Sequence, residues 1–188
     1  MKILCEISVR HVHISKEHVE ILFGKGHQLK FVRELSQPGQ FLASERVELV
    51  TAKSTIKNVA VLGPERTQTQ VEISRTDCFA LGLKNVPVRQ SGNLVDSPAI
   101  ILRTEKGEVK IDSGVIVAQR HIHMDTKTAK DNGFKDGQII SVKFGGSRGG
   151  TLNNTVVRVH DNFAPAVHID SDEGNALGFC SGEVEILA

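Results

Sequence analysis

Short runs in which apolar and polar residues alternate recur along the chain, at 3–9, 47–50, 59–62, 68–73, 99–103, 109–111, 115–117, 139–144, 155–159 and 184–187. Successive side chains on a strand point to opposite faces, so each run predicts a strand with one buried face. Glycine and proline punctuate the gaps, as in Gln37-Pro38-Gly39, Gly63-Pro64, Lys106-Gly107, Asp136-Gly137 and the loop from Gly145 to Gly150, and they leave little room for long helices. Three short helices are predicted, Ser15 through Phe23, Thr76 through Leu81 and Asp125 through Asn132, each opening on a residue able to cap exposed backbone N–H groups. Many short strands with few helices predict a mainly β protein built from barrels.

One repeat changes this picture. Ser8-Val9-Arg10-His11-Val12-His13-Ile14-Ser15 leads into a predicted helix, and Ala118-Gln119-Arg120-His121-Ile122-His123-Met124-Asp125 does the same. The copies lie too far apart for a solenoid, so two related β-barrel halves fit better than a repeat array.

Composition narrows the function classes. Lys and Arg number 23 against 22 Asp and Glu, and Trp and Tyr are absent. That balance gives no field for a polyanion and no aromatic platform for single strands, so a nucleic-acid partner is not expected. No apolar run is long enough to span a bilayer, and the opening MKILCEISV is too brief and too charged for a signal peptide, so a cytoplasmic protein without a membrane partner is expected. Cys5, Cys78 and Cys180 lack any Cys-x-x-Cys spacing and are expected to be buried, reduced thiols.

The histidines carry the chemistry. In an extended His-x-His both imidazoles share one face, while Val12 and Ile122 point the other way into apolar surroundings. Two nitrogens on one face can share a metal, and a catalytic zinc takes three protein ligands and keeps a further position open. With 8 histidines in 188 residues, chance yields about 0.3 such pairs, whereas this chain has two. Third ligands are available in His168 and Glu72, although either residue could equally be a structural histidine or the solvated face of a strand. Arg66, near a turn after an apolar run, could grip phosphate bidentately or sit on the surface. The glycine loop around Arg148 lacks the Gly-Lys-Ser/Thr ending of a phosphate loop and reads as a hairpin connection. His18, His27 and His160 show no ligand spacing and are expected at the surface.

Taken together, Arg10-His11-Val12-His13, Gln37-Pro38-Gly39-Gln40-Phe41, Gly63-Pro64, the stretch from Thr69 to Asp77, Arg120-His121-Ile122-His123 and the stretch from His168 to Ala176 resemble the PduL-type phosphotransacylases. The likeness runs along nearly the whole chain. It implies two small β-barrel domains capped by short helices, one from residues 1–9 plus 119–188 and the other from 10–118, with the active site between them. It also implies an enzyme that transfers a propanoyl or acetyl group between coenzyme A and phosphate, with two zinc ions and a homodimeric assembly.

By matching motif, His11, His13 and Glu72 are the expected ligands of one zinc, and His121, His123 and His168 of the other. Arg66 is the expected catalytic arginine. Ser8, Arg33, Leu62, His168 and Asn175 are the expected coenzyme A contacts, while Ala60 stands near a position where the resemblance places a basic residue. Microcompartment-housed members carry an N-terminal extension that has no counterpart here, which fits a free cytoplasmic enzyme. Two other activities suit the same residues: a zinc hydrolase of acyl-CoA or a related ester, and a non-catalytic metal-binding protein.

Overall fold

The computed structural model describes residues 1–187; Ala188, the last residue of the expected 119–188 segment, lies outside the described residues. Strand β1 spans Lys2–Ser8, β2 His11–His13, helix α1 Lys16–Phe23, β3 Phe31–Glu34, β4 Phe41–Val50, β5 Thr55–Gly63 and β6 Gln70–Glu72. Helix α2 then covers Arg75–Leu81, followed by β7 at Val88–Arg89, β8 at Ile100–Arg103, β9 at Glu108–Ile111 and β10 at Val115–Ala118. The remainder is β11 at His121–Met124, α3 at Thr126–Asp131, β12 at Ile139–Phe144, β13 at Gly150–Val159, β14 at Ala166–Asp170, α4 at Ser171–Leu177 and β15 at Ser181–Leu187.

The chain divides into two compact units. Met1–Val9, Ser36–Pro38 and the chain from Gln119 onward form the first, and Arg10–Leu35 with Gly39–Ala118 forms the second. Residues 36–38 thus belong to the first unit although they lie within the 10–118 stretch.

In the first unit six strands close into a barrel in the order β1-β14-β11-β13-β12-β15. The N-terminal β1 completes it, parallel to β14 on one side and antiparallel to β15 on the other. Alternation sends Ile3 and Cys5 of β1, Ile122 and Met124 of β11, and Val167 and Ile169 of β14 into one buried core. The hairpin β12–β13 is joined by the exposed loop around Arg148, as its glycine content predicts.

The second unit carries a nine-stranded sheet that curls into a half-barrel instead of closing, with β7 and β9 at its ends and β3 paired to β4 alongside. Its core gathers Val12, Ile14, Val61, Val71 and Leu102. The β8–β9 turn seals the end of α1, because the Thr104 hydroxyl donates to the Leu22 carbonyl and the Lys106 ammonium to that of Phe23 at 3.2 Å. A side chain at Gly107 would run into the Ile21 carbonyl oxygen, so only glycine admits this approach.

Capping explains where the helices begin. Ser15 and Asp125 accept from the backbone N–H groups of His18 and Thr128. Helix α2 is capped at Ser74, two residues before the expected Thr76, because Ser74 and Asp77 form a capping box, and α2 ends on left-handed Gly82. Helix α4, absent from the sequence expectation, is built the same way from Asp170 and Glu173 and ends on left-handed Gly178. Cys5 and Cys78 are buried and Cys180 is exposed, contrary to the expectation of three buried thiols. No helix among the described residues is long and apolar enough to cross a membrane.

Candidate metal centres

The second unit builds the first cluster from two three-residue strands. Strand β2 runs antiparallel to β6 with His11 opposite Glu72, Val12 opposite Val71 and His13 opposite Gln70. Paired residues share a face, so the two histidines and Glu72 converge while Val12 and Val71 enter the core behind them. The Nε2 atoms of His11 and His13 lie 3.6 and 4.0 Å from the two Glu72 carboxylate oxygens. Ligands about 2.0–2.1 Å from a tetrahedral ion are roughly 3.3 Å apart, so this geometry needs only a small contraction to hold one. All three residues are buried. Burial holds the His13 imidazole well below its usual value, His11 and Arg66 add to this, and the Leu62 backbone opposes it. His13 is therefore neutral, the state that ligates metals.

Two residues not singled out from the sequence hold this cluster. The Gln70 amide, fully enclosed, donates to Glu72 Oε1 at 2.5 Å and to Ser91 Oγ at 2.8 Å, while its carbonyl oxygen accepts from the Gly92 N–H at 3.0 Å. Ser91 Oγ also accepts from the Arg66 guanidinium at 3.0 Å. Arg66 follows β5 and is pinned by its backbone N–H donating to the Ile14 carbonyl at 3.0 Å. The expected phosphate-binding arginine is thus linked to the expected carboxylate ligand through Ser91 and the Gln70 amide.

The first unit repeats the construction. Strand β11 runs antiparallel to β14 with His121 opposite His168, so His168 occupies the position that Glu72 has in the other unit. The three ring centroids are 4.6, 4.9 and 5.2 Å apart. His121 Nδ1 lies 2.8 Å from the Gln119 carbonyl, which can only accept, so Nδ1 carries the proton and Nε2 keeps its lone pair for a metal. His123 Nδ1 is buried with no hydrogen-bond partner among the described residues, an orphan that ligation would satisfy. Burial first, then His121, His168 and Arg158, lower the His123 pKa to about 2. Phe163 walls the cluster, its ring 4.1 Å from that of His123.

Behind His168 stands Glu6, its partner in the parallel pairing with β1, with Oε2 3.9 Å from His168 Nδ1. The Ser36 hydroxyl donates to the same carboxylate oxygen. Buried Gln37 exchanges two hydrogen bonds with the Ala164 backbone and brings its amide nitrogen to 3.5 Å from His168 Nε2. The Gln-Pro-Gly turn is visible in the sequence, but nothing local marks Gln37 as a neighbour of His168. In each cluster the three ligand atoms lie within 4.8 Å of one another.

The expected coenzyme A contacts fall in both units. Ser8 ends β1 opposite Asp170, and Asn175 is exposed on α4, so both share the first unit with His168. Arg33 and Leu62 lie in the second unit, on the two strands that flank Leu42 of β4. Arg33 is exposed there and Leu62 half-buried. Neither His18 nor His27 is a plain surface residue: His18 Nδ1 meets the Thr69 hydroxyl at 2.8 Å, and His27 Nε2 meets the buried Glu45 carboxylate at 2.8 Å.

Comparison with known proteins gives this arrangement a context. The family model described as phosphate propanoyltransferase matches residues 4–180. Proteins named "Phosphate propanoyltransferase" from Alkaliphilus metalliredigens and Clostridioides difficile are 46% and 49% identical to it over 97% and 95% of the chain, each alignment covering 85% of the relative. One from Thermotoga maritima is 46% identical over 97% of the chain and 87% of its own length. These likenesses make the protein an enzyme of the phosphate acyltransferase class. It belongs to the phosphate propanoyltransferase family.

Proposed function

We propose that the enzyme reversibly transfers a short acyl group, propanoyl or acetyl, between coenzyme A and inorganic phosphate, with one zinc held by His11, His13 and Glu72 and another by His121, His123 and His168. The observation that carries this reading is the pair of three-ligand clusters, one buried and one partly buried, raised at one register on matching strand pairs, in a chain of this family. Ions held by these residues would supply Lewis-acid chemistry and positive charge beside the reacting groups.

The chain's own residues supply binding and orientation. Arg66, set by Ser91 and the Ile14 carbonyl, binds phosphate through its guanidinium fork. A phosphate oxygen adds to the thioester carbonyl carbon, the carbon–sulfur bond breaks, and the thiolate of coenzyme A leaves to take a proton from solvent. Holding phosphate at attack distance supplies much of the rate, and Arg66 offsets charge gathering on the carbonyl oxygen. Direct attack also suits the chemistry of Cys5. Burial foremost, with Glu6 and Glu173 adding, pushes Cys5 up to about 12, so it offers no thiolate nucleophile at neutral pH. Ser8, Arg33, Leu62, His168 and Asn175 contact coenzyme A in this reading, and the enzyme works in the cytoplasm as a homodimer.

The test mixes purified enzyme with acetyl, propanoyl or butanoyl phosphate and coenzyme A and follows thioester formation before and after chelation. Chelator-sensitive thioester formation that is reversed by added phosphate supports the proposal. Acyl-CoA consumption at the same rate without phosphate, yielding no acyl phosphate, would make the protein a hydrolase. A dimer in sedimentation is expected, and a monomer removes that part.

A further inference from the structure

The arginine before each His-x-His makes one contact in both units. Arg10 places its guanidinium 2.8 Å from Oδ1 of Asp77, and Arg120 donates through Nε to Oε1 of Glu173 at 2.5 Å. Asp77 and Glu173 are the third helical residues of α2 and α4, and each closes a capping box with its other oxygen. Asp77 Oδ2 accepts from the Ser74 N–H at 3.2 Å, and Glu173 Oε2 from the Asp170 N–H at 3.1 Å. Each carboxylate therefore joins the start of a helix to the strand of the two leading histidines. Each lies five residues beyond its unit's third ligand, Glu72 or His168.

Duplication of the contact matters because the direct pairing between the ligand-bearing strands is short. Strands β2 and β6 are three residues each, and β11 and β14 share only three paired positions. A slip of one residue in such a short pairing would turn Glu72 or His168 to the opposite face. An ion pair linking the residue before the first ligand to the helix after the third spans that joint. The chain between arginine and carboxylate is longer in one unit than in the other, yet the division of labour between the two carboxylate oxygens is the same. Arg10 is exposed but Asp77 is buried, so losing the pair also costs fold stability, and metal affinity read beside thermal unfolding separates positioning from stabilisation.

We propose that Arg10 and Arg120 are positioning residues, each setting the register that brings its own unit's three metal ligands together; this rests on reading the two clusters as metal sites. The two clamps differ in one testable respect. Arg10 reaches Asp77 through one terminal nitrogen, which a lysine can imitate. Arg120 also donates to the Asn153 carbonyl at 2.5 Å through Nη1, a second prong that lysine lacks.

The experiment loads cobalt(II) into chelator-stripped full-length protein and its Arg10→Met, Arg10→Gln, Arg10→Lys, Arg120→Met, Arg120→Gln and Arg120→Lys variants. Affinity is read from visible absorption under chelator competition, and the fold of each stripped variant is checked by circular dichroism and thermal unfolding. Wild type should bind two equivalents. Each methionine or glutamine variant should weaken one equivalent by about 10–100-fold and leave the other unchanged. Lysine should restore most of the affinity at position 10 and only part at position 120. Methionine and glutamine variants that fold and bind both equivalents as wild type does would overturn the proposal, as would a lysine variant that behaves like methionine at position 10. Should a methionine variant fail to fold, the glutamine variant at that position gives the reading. A folded wild type that binds no cobalt would instead remove the metal-site reading itself.

Discussion

Replacing Gln70 by leucine strips three hydrogen bonds from the second unit's cluster while keeping its buried bulk. The costliest loss is the donor to Glu72, because that carboxylate is buried and a bond to a charged group is worth about 1.5–3 kcal/mol. The bonds to Ser91 and Gly92 are part-buried, so water compensates there and each loss costs about 0.5–1 kcal/mol. Added apolar contact from leucine offsets about 1 kcal/mol, leaving a net loss of about 1.5–4 kcal/mol. The same change releases Glu72 from its orienting partner, which should weaken metal binding by about 10–100-fold. Urea unfolding of the metal-free protein reads the first effect and zinc competition with a chromophoric chelator reads the second. Gln70→Leu protein with wild-type stability and wild-type zinc affinity would refute the role given to this amide.

Other outcomes follow from the same geometry. Arg66→Ala should lower turnover by orders of magnitude with metal content unchanged, and Ser91→Ala should lower it less; near-normal rates in Arg66→Ala would refute the phosphate-binding role. His13 and His123 are held neutral in the fold, whereas the unfolded chain protonates near about 6.5, so the folded state binds fewer protons in acid. Stability of the metal-free protein should therefore fall as pH drops below about 6.5 toward the depressed folded values, by up to about 1.4 kcal/mol per pH unit for each group, and denaturant midpoints that stay flat from about pH 7 to 5 would contradict this. Gly107→Ala should destabilise by about 1–3 kcal/mol, because the new methyl group meets the Ile21 carbonyl, and an unchanged urea midpoint would count against that packing.

What the sequence made legible follows the range of each interaction. Alternation over Ile139–Phe144 and the caps at Ser15 and Asp125 are local signals, and the elements they predict are present. The shared face of His11 and His13 is equally local. Convergence of Glu72 and His168 on the histidine pairs depends on which strands pair and at what register, which no window of sequence contains; the residues made them available as third ligands, and only the resemblance favoured that reading over a structural one. Helix α4 went unseen because Gly174 and Asn175 weaken its helical pattern, yet Asp170 and Glu173 are a capping box in plain view. Nor did alternation in β4 and β5 reveal that their sheet stays open, since closure is set by the pairing of its end strands.

The most direct test of the account is a zinc titration of chelator-stripped enzyme in which bound metal and acyl phosphate formation from propanoyl-CoA and phosphate are read together. Two equivalents per chain, with full activity reached only on the second, is the predicted result. Full activity with one equivalent or none, or saturation without any acyl phosphate, would contradict it.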